Sequence, residues 1–293
     1  MESLSLAVLL LISLIALSGG LLLVMACRRA PGNYLAVGHC RLFYTFEGRG
    51  EAVLLLHGLA AHGDLNWRLP GLIRSLRKHY SVICLDLRGH GLSGKPVMEG
   101  QYGLQMVADV PRLLDHLGIT RVHLVGYSLG GFIALKVAAM HPDRLIDLTL
   151  IAAGWERPDS RVFHHLDQCA TALRAGRSIP PPGAVEVSPS FMETLASRIA
   201  TTFFIDRQAI AALLASLSTL SLTVEELHSL SMPVCLIFGD HDYLRSSADA
   251  MLGQVPDLCC YVIPNANHVN SIWRRALRCH LLRFLHQQAN ARK

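Results

Sequence analysis

One pentapeptide limits how this chain can fold more than any other feature of its sequence. Residues 126–130 read Gly-Tyr-Ser-Leu-Gly, and they stand between an apolar run at 121–125 and a helix-like stretch at 129–140. Glycines at such a junction predict a sharp strand-to-helix turn, because they let neighbouring backbones approach closely. The turn would hold Ser128 at the end of a strand, with its hydroxyl accessible to another molecule.

Strands and helices alternate on both sides of this turn. After a first strand within 39–46, which a Glu47-Gly48-Arg49-Gly50 turn ends, short apolar runs predict strands at 53–56, 81–86, 121–125, 145–151, 233–238 and 258–263. Helix-like stretches fall at 65–78, 102–117, 129–140, 246–252 and 269–286. This pattern predicts an α/β fold with a mostly parallel central sheet and helices on both faces.

The alternation stops between 153 and 231. This stretch contains Pro180-Pro181-Pro182-Gly183 and helix-like pieces, but no apolar run typical of a core strand. We therefore predict one core domain, formed by 36–153 and 231–288, with an inserted helical cap at 154–230. The apolar cap residues would either supply a substrate pocket or cover the sheet edge; they are Phe163, Leu166, Phe191, Leu195, Phe203, Phe204, Ile210, Leu213, Leu214 and Leu217.

The first residues of the chain form an apolar segment. Residues 3–27 carry no charge, and a helix of this length could cross a bilayer. Arg28-Arg29 follow directly. We predict an N-terminal hydrophobic anchor helix within 1–29 and hence a membrane-associated, single-pass protein. Two alternatives stay open: a lipoprotein with a lipidated Cys27, or a protein secreted after cleavage of a signal peptide.

Composition excludes several other classes of protein. Hydrophobic residues make up 51% of the chain and charged residues 17%, which is typical of a protein with a large core and not of a disordered one. The net charge of +5 comes from scattered basic residues, so we predict no nucleic-acid partner. The 8 cysteines have neither C-x-x-C nor zinc-ligand spacing, so no metal site is predicted. Oligomeric state is not indicated.

A serine hydroxyl becomes a strong nucleophile only beside a base that a third group orients. Asp240 and Asp242 follow the predicted strand 233–238, and His268 follows the last predicted strand. Because the carboxyl ends of parallel strands share one sheet edge, these groups would lie near Ser128. Ser128 is the predicted nucleophile and His268 the base, with one of the two aspartates as the acid.

Five motifs in this order resemble the α/β-hydrolase superfamily, over a stretch from about Cys40 to the last residue. They are His57-Gly58, Asp86-Leu87-Arg88-Gly89-His90-Gly91-Leu92-Ser93, Gly126-Tyr127-Ser128-Leu129-Gly130-Gly131, Gly239-Asp240-His241-Asp242 and Asn267-His268. The resemblance implies that Asp242, the last residue of a G-x-x-D loop, is the acid, and that Asp240 is a turn residue. It also implies an oxyanion hole formed by the backbone N–H groups of Leu59 and Leu129. The family often has Gly-His where this chain has Asn267-His268.

The resemblance implies an enzyme that hydrolyses a small-molecule ester or lipid, such as a monoacylglycerol, through an acyl-enzyme on Ser128, without a cofactor. Serine at this position argues against dehalogenase and epoxide hydrolase chemistry, which use a carboxylate nucleophile. The same scaffold serves carbon-carbon bond hydrolases, aminopeptidases and cofactor-free haloperoxidases. The alternative to an enzyme is a non-catalytic protein that uses the same fold to bind a ligand.

Overall fold

The computed structural model describes residues 29–177 and 206–292. The chain falls into two units, Met1–Pro31 and Gly32–Lys293. All helices and strands given below belong to the second unit.

Short apolar segments form the strands, and each is long enough for one crossing of the sheet. In the described residues the strands are β1 (Asn33–Val37), β2 (Cys40–Gly48), β3 (Ala52–Leu56), β4 (Ser81–Leu85), β5 (Val122–Tyr127), β6 (Leu145–Ile151), β7 (Val234–His241) and β8 (Leu258–Asn267). The α-helices are α1 (Leu72–Leu76), α2 (Leu104–His116), α3 (Leu129–Met140), α4 (Arg161–Arg174), α5 (Arg207–Ser216), α6 (Val224–His228), α7 (Arg245–Asp249) and α8 (Arg275–Asn290).

The eight strands form one sheet in the order β1-β2-β4-β3-β5-β6-β7-β8. Strands β1, β2 and β4 pair in antiparallel fashion, and every pair from β4 onward across the sheet is parallel. The predicted α/β class with a mostly parallel sheet is therefore confirmed. All the parallel strands end at the same edge of the sheet, and that edge carries Ser128, Asp242 and His268.

Each face of the sheet is covered by its own apolar cluster. One cluster joins alternate strand residues to α2, α3, α4 and α5. The other joins the intervening strand residues to α1 and α8. Strand β3 is buried at all five positions because helices cover both of its faces, as its uninterrupted Val-Leu-Leu-Leu run predicts.

The helix predicted at 65–78 is two elements. A π-helical turn covers Asp64–Arg68, and α1 covers Leu72–Leu76. Pro70-Gly71 separates them, and Gly71 takes a left-handed φ of 84°. Proline lacks the N–H that a helix interior requires, and this φ is one that glycine adopts easily, so the pair ends one turn and starts another.

The predicted cap contributes α4, α5 and α6 in its described residues, 154–177 and 206–230, and no strand. Of its ten apolar residues, Phe163, Ile210, Leu213, Leu214 and Leu217 are buried in the cluster around α3, and Leu166 packs against it. The remaining four, at 191, 195, 203 and 204, lie outside the described residues. The division into core and cap stays a prediction.

The predicted membrane span requires a correction. Across the described residues, 29–177 and 206–292, no helix combines the length and the apolar character needed to cross a bilayer. The longest of these helices, α8, has 16 residues, hence about 24 Å against the roughly 30 Å of a bilayer core. The prediction of a membrane-associated, single-pass protein is therefore withdrawn. Residues 1–28, which suggested an anchor, lie outside the described residues.

Candidate active site

Ser128 occupies a strained turn between β5 and α3. Its backbone has φ 51° and ψ −115°, a region that costs a non-glycine residue about 1–3 kcal/mol. The flanking glycines make the turn possible, because a Cβ on Gly126 would lie 2.3 Å from the carbonyl oxygen of Gly130. The Ser128 N–H donates to the carbonyl of Ile151 at 2.9 Å, which ties the turn to β6.

The side chains of Ser128, His268 and Asp242 form one hydrogen-bonded chain. His268 Nε2 lies 2.9 Å from Ser128 Oγ, and His268 Nδ1 lies 2.9 Å from Asp242 Oδ1. The structure therefore brings together the three residues that the sequence predicts. With Nδ1 as donor to the carboxylate, Nε2 is free to accept the serine proton.

Asp242 is held in a nearly dry position, with 3% of its surface exposed. Its Oδ1 also accepts the backbone N–H of Leu244 at 2.9 Å. Its buried Oδ2 has no hydrogen-bond partner among the described residues. A buried carboxylate beside an imidazole stabilises the imidazolium that forms when the base takes a proton.

Asp240, the rejected candidate for the acid, joins β7 to the loop that carries the base. Its two carboxylate oxygens accept the backbone N–H groups of Asn265 and Ala266, each at 3.0 Å. The Asn265 N–H, followed by other backbone donors, lowers the pKa of this carboxyl below its ordinary value. Its oxygens face backbone rather than His268, so Asp240 fixes the course of the histidine loop.

Two tyrosine rings flank the imidazole of His268. The Tyr243 ring lies 4.3 Å from the imidazole centroid at an interplanar angle of 35°. The Tyr127 ring lies 5.7 Å away at 34°. The Tyr127 hydroxyl also donates to the backbone carbonyl of His268, which links the nucleophile turn directly to the histidine loop. Sequence reasoning missed both tyrosines, because their roles depend on contacts between distant loops.

The loop after β3 is fastened beside Ser128. A Cβ on Gly58 would lie 2.8 Å from the Tyr127 ring and 3.4 Å from the Ser128 Cβ, so only glycine lets the loop approach this closely. The Gly58 N–H donates to Asn66 Oδ1 at 2.8 Å, and the Gly130 N–H donates to the His57 carbonyl at 3.1 Å. These bonds hold the segment leading into Leu59 against the start of α3, where Leu129 is the first helical residue.

His57 is a structural residue of this loop. Its Nε2 accepts the N–H of Leu87 at 3.0 Å, so the ring carries its proton on Nδ1, which donates to the Gly58 carbonyl at 2.8 Å. Burial lowers the pKa of His57 to about 3, and the same cause lowers that of the adjacent His90 to about 4. Both imidazoles are therefore neutral at physiological pH.

The turn at 86–93, which follows β4, supports the site through hydrogen bonds and an ion pair. Asp86 accepts the N–H groups of Gly63 at 2.9 Å and Leu92 at 2.8 Å. Arg88 makes a two-pronged ion pair with Asp109 of α2, at 2.6 and 2.7 Å, and both side chains are buried. These bonds fix the segment to the loop after β3 and to α2. It supplies no group to the hydrogen-bonded chain on Ser128.

A metal centre is absent from the part of the chain that the structure describes, since no three His, Cys, Asp or Glu side chains there are arranged to hold an ion. Among the described residues, the functional groups in hydrogen-bond contact at this edge of the sheet are the Ser128 hydroxyl, the His268 imidazole and the Asp242 carboxylate.

Comparison with known proteins gives partial sequence matches and a fold match over most of the chain. Residues 51–178 match the sequence model of the α/β hydrolase fold family. A dihydrolipoyllysine-residue acetyltransferase component of an acetoin cleaving system from Pseudomonas putida is 42% identical over 119 residues, which are 39% of this chain and 30% of that protein. A monoacylglycerol lipase from Xenopus laevis is 33% identical over 132 residues, 42% of this chain and 38% of the lipase. The chain thus spans about a third of the length of these relatives.

The fold likeness extends further than the sequence likeness. The crystal structure of an enol-lactonase from Burkholderia xenovorans superposes with a TM-score of 0.69 at 23% identity, covering 87% of this chain and all of the lactonase. By its strand order and this likeness, the chain has the α/β-hydrolase fold, and residues 51–178 also match the sequence model of that fold family.

Proposed function

We propose that the chain is a serine hydrolase that cleaves carboxylic ester bonds through an acyl-enzyme on Ser128. His268 Nε2 removes the proton of Ser128 as Oγ attacks the ester carbonyl carbon. The tetrahedral intermediate collapses, the carbon-oxygen bond to the alcohol breaks, and His268 returns the proton to the leaving alcohol. Water then repeats the attack on the acyl-enzyme with His268 again as base, which frees the acid and restores Ser128.

The observation that carries this proposal is the unbroken chain from Ser128 Oγ through His268 to Asp242, with both contacts at 2.9 Å. The strained backbone of Ser128 adds to it, because such strain persists where the surrounding structure enforces it and is frequent at reactive residues. Among the described residues, the side chains of Ser128 and His268 form hydrogen bonds only within this chain of three residues, while their other hydrogen bonds are made by backbone atoms. The buried Asp242 would be a costly residue without the imidazole.

Leu59 and Leu129 are the proposed oxyanion donors, through their backbone N–H groups. Leu129 begins α3, so its N–H has no helical partner and lies at the positive end of the helix dipole. Leu59 follows the Gly58 loop held beside Ser128, and the next residue, Ala60, takes a positive φ of 56°. A donor fixed in this way stabilises charge that develops in the transition state, typically by about 3–4 kcal/mol.

An acyl carbonyl is the proposed reacting group, and an apolar acyl chain is its proposed substituent. The similar proteins include one named for monoacylglycerol hydrolysis and one for lactone hydrolysis, and both reactions open an ester. In support, the helix that begins after Ser128 is covered by apolar cap residues, with the rings of Phe132 and Phe163 6.1 Å apart.

A screen of p-nitrophenyl esters with acyl chains from two to sixteen carbons, beside a monoacylglycerol, tests both parts of the proposal. We expect hydrolysis by the wild-type chain, covalent labelling by a fluorophosphonate, and loss of both in Ser128→Ala. Serine and alanine differ by one hydroxyl, so circular dichroism should show the same fold. Hydrolysis that survives in Ser128→Ala would overturn the mechanism. A preference for the shortest acyl chains would overturn the apolar substrate.

A further inference from the structure

Two cysteines face each other across β7 and β8, far from the carboxyl ends of these strands. Cys235 and Cys259 are direct partners in the parallel register of the two strands. Both belong to the sheet face that α8 covers. Neighbouring strands lie about 4.8 Å apart, which falls within the Cα separations of about 4.4–6.8 Å that a disulfide bridges. The register therefore places the two cysteines at neighbouring positions on one face of the sheet, with a backbone spacing that a disulfide can span.

The two thiols already interact, and their environments differ. Each thiol contributes to the pKa shift of the other, and the Cys235 Sγ also lies 3.9 Å from the carbonyl oxygen of Leu236. Cys235 is completely buried, whereas Cys259 lies on the edge strand and is partly exposed. Interaction with the Cys235 thiol lowers the pKa of Cys259 below its ordinary value, while interaction with Cys259, followed by burial, raises the pKa of Cys235. One member of the pair is thus suited to attack a reagent from solvent and the other to remain protonated.

A buried acid beside the pair limits how many thiolates can form. Asp147 is 2.5 Å from His123 on the same sheet face; its charge adds to the raising of the Cys235 pKa and opposes the lowering of the Cys259 pKa. Two thiolates at once would add two negative charges beside this carboxyl. The thiols would therefore react in sequence and not together.

We propose that Cys235 and Cys259 are a dithiol modification site that exchanges with small disulfides, such as oxidised glutathione, to form an intramolecular disulfide. The Cys259 thiolate attacks one sulfur of oxidised glutathione, and the sulfur-sulfur bond of the reagent breaks to release one glutathione thiolate. Cys235 then loses its proton and attacks the Cys259 sulfur, which expels the second glutathione. The protein loses two thiol hydrogens, and one molecule of oxidised glutathione is reduced to two thiols.

The bridge would tie down an edge of the sheet. Among the described strands, β8 is the last in the order and pairs only with β7, yet it leads into His268. A covalent link at the amino ends of β7 and β8 joins the strands that carry Asp242 and His268 at their other ends. Oxidation should therefore raise the urea midpoint of the folded chain, and reduction with dithiothreitol should reverse that rise.

Cys260 is a built-in control. It is the neighbour of Cys259 in sequence and is also partly exposed, but its register partner is Leu236, and alternation along the strand points it to the opposite face. Burial raises the pKa of its thiol. If exposure alone decided reactivity, Cys260 would react as Cys259 does.

The experiment treats the folded full chain with oxidised glutathione, alkylates the remaining thiols and maps the peptides without reduction. We expect a cross-linked peptide pair joining Cys235 to Cys259, two hydrogens lighter than the reduced pair, in the wild type and in Cys260→Ala. In Cys235→Ala we expect glutathione to persist on Cys259, because the resolving thiol is gone. In Cys259→Ala we expect no modification of Cys235.

Three results would overturn the proposal: no Cys235 to Cys259 peptide from the folded wild type, equal modification of Cys260, or equal glutathione retention on Cys259 in the wild type and in Cys235→Ala. The wild-type mapping needs no variant to fold, and none of these readouts uses enzymatic activity. Failure of the proposed hydrolysis would therefore leave the result on the thiols intact.

Discussion

Asparagine at position 242 tests whether this carboxylate, and not Asp240, orients the base. Asp242 Oδ1 receives two donors, His268 Nδ1 and the Leu244 N–H, both at 2.9 Å. In Asp242→Asn the amide oxygen can keep these two bonds, but the negative charge opposite His268 is gone and the amide NH2 is buried where Oδ2 has no described partner. If the amide of Asp242→Asn is flipped, its NH2 group points at the Leu244 N–H and at His268 Nδ1, and both hydrogen bonds are lost.

The size of the effect follows from the lost charge. Unit charges about 4 Å apart interact by about 4 kcal/mol at an effective dielectric constant of 20, which suits a site where only 3% of Asp242 is exposed. Losing this attraction in the transition state, where the imidazole is charged, slows acylation about a thousandfold, since each 1.36 kcal/mol is a factor of ten. If the amide also selects the wrong tautomer, the loss rises to about ten-thousandfold.

The assay is kcat/KM on a p-nitrophenyl ester, with the thermal melt of each variant as a check on folding. Asp240→Asn is the matched control, because it removes the same charge from the same loop but keeps one oxygen for the N–H groups of Asn265 and Ala266. We expect less than a tenfold loss in the control. The reasoning fails if Asp242→Asn retains a tenth of wild-type activity, or if the two variants lose equal activity.

Three further outcomes are expected from the surroundings of the site. Arg88→Ala should lower the free energy of unfolding in urea by about 3 kcal/mol, because the buried Asp109 carboxylate loses its two short bonds and keeps the longer contact with Arg112 at 3.4 Å; a loss under 1 kcal/mol would contradict this. Burial lowers the pKa of His90 from 6.5 to about 4, so the folded chain loses stability as pH falls through this interval, where the unfolded chain binds the proton first. His90→Gln should reduce that loss by about 1.4 kcal/mol per pH unit, measured by urea titrations between pH 7 and 4.5, and an unchanged slope would refute it. Tyr243→Leu should lower kcat/KM about threefold to tenfold relative to Tyr243→Phe, because only phenylalanine keeps a ring on the imidazole of His268; equal rates would show that the ring contributes nothing.

The sequence predicts the alternation of strands and helices along the chain, with Ser128 and His268 at strand ends, because these depend on local patterns. The choice of Asp242 over Asp240 comes from the family resemblance. Each of these residues follows an apolar run that ends abruptly in polar or glycine-rich sequence. Parallel pairing then brings the three run ends to one edge of the sheet. Local pattern therefore sufficed to place Ser128, Asp242 and His268 on neighbouring loops.

The ends of β7 and β8 could not be predicted in this way. Both strands continue past their apolar runs, to His241 and Asn267. Residues such as Pro264 and Asn265 do not favour a strand, and it is the capture of backbone N–H groups by Asp240 that holds them there. The tyrosines around His268 were missed for the same reason, since 141 residues separate the Tyr127 hydroxyl from the carbonyl that it contacts. The predicted anchor is a separate case: no helix of residues 29–177 and 206–292 could cross a bilayer, and the apolar segment that suggested the anchor lies outside these residues.

The position of β8 places a strict demand on the length of the segment that follows it. Three strand spacings, about 14 Å, separate β5 from β8. The loop after β8 must therefore pass the carboxyl ends of β7 and β6 for His268 to contact Ser128. A one-residue deletion between Ile263 and His268 would shorten this return by about 3 Å, more than the hydrogen bond to Ser128 Oγ could absorb. We therefore expect a change in the number of these few residues before the base to break the contact with Ser128.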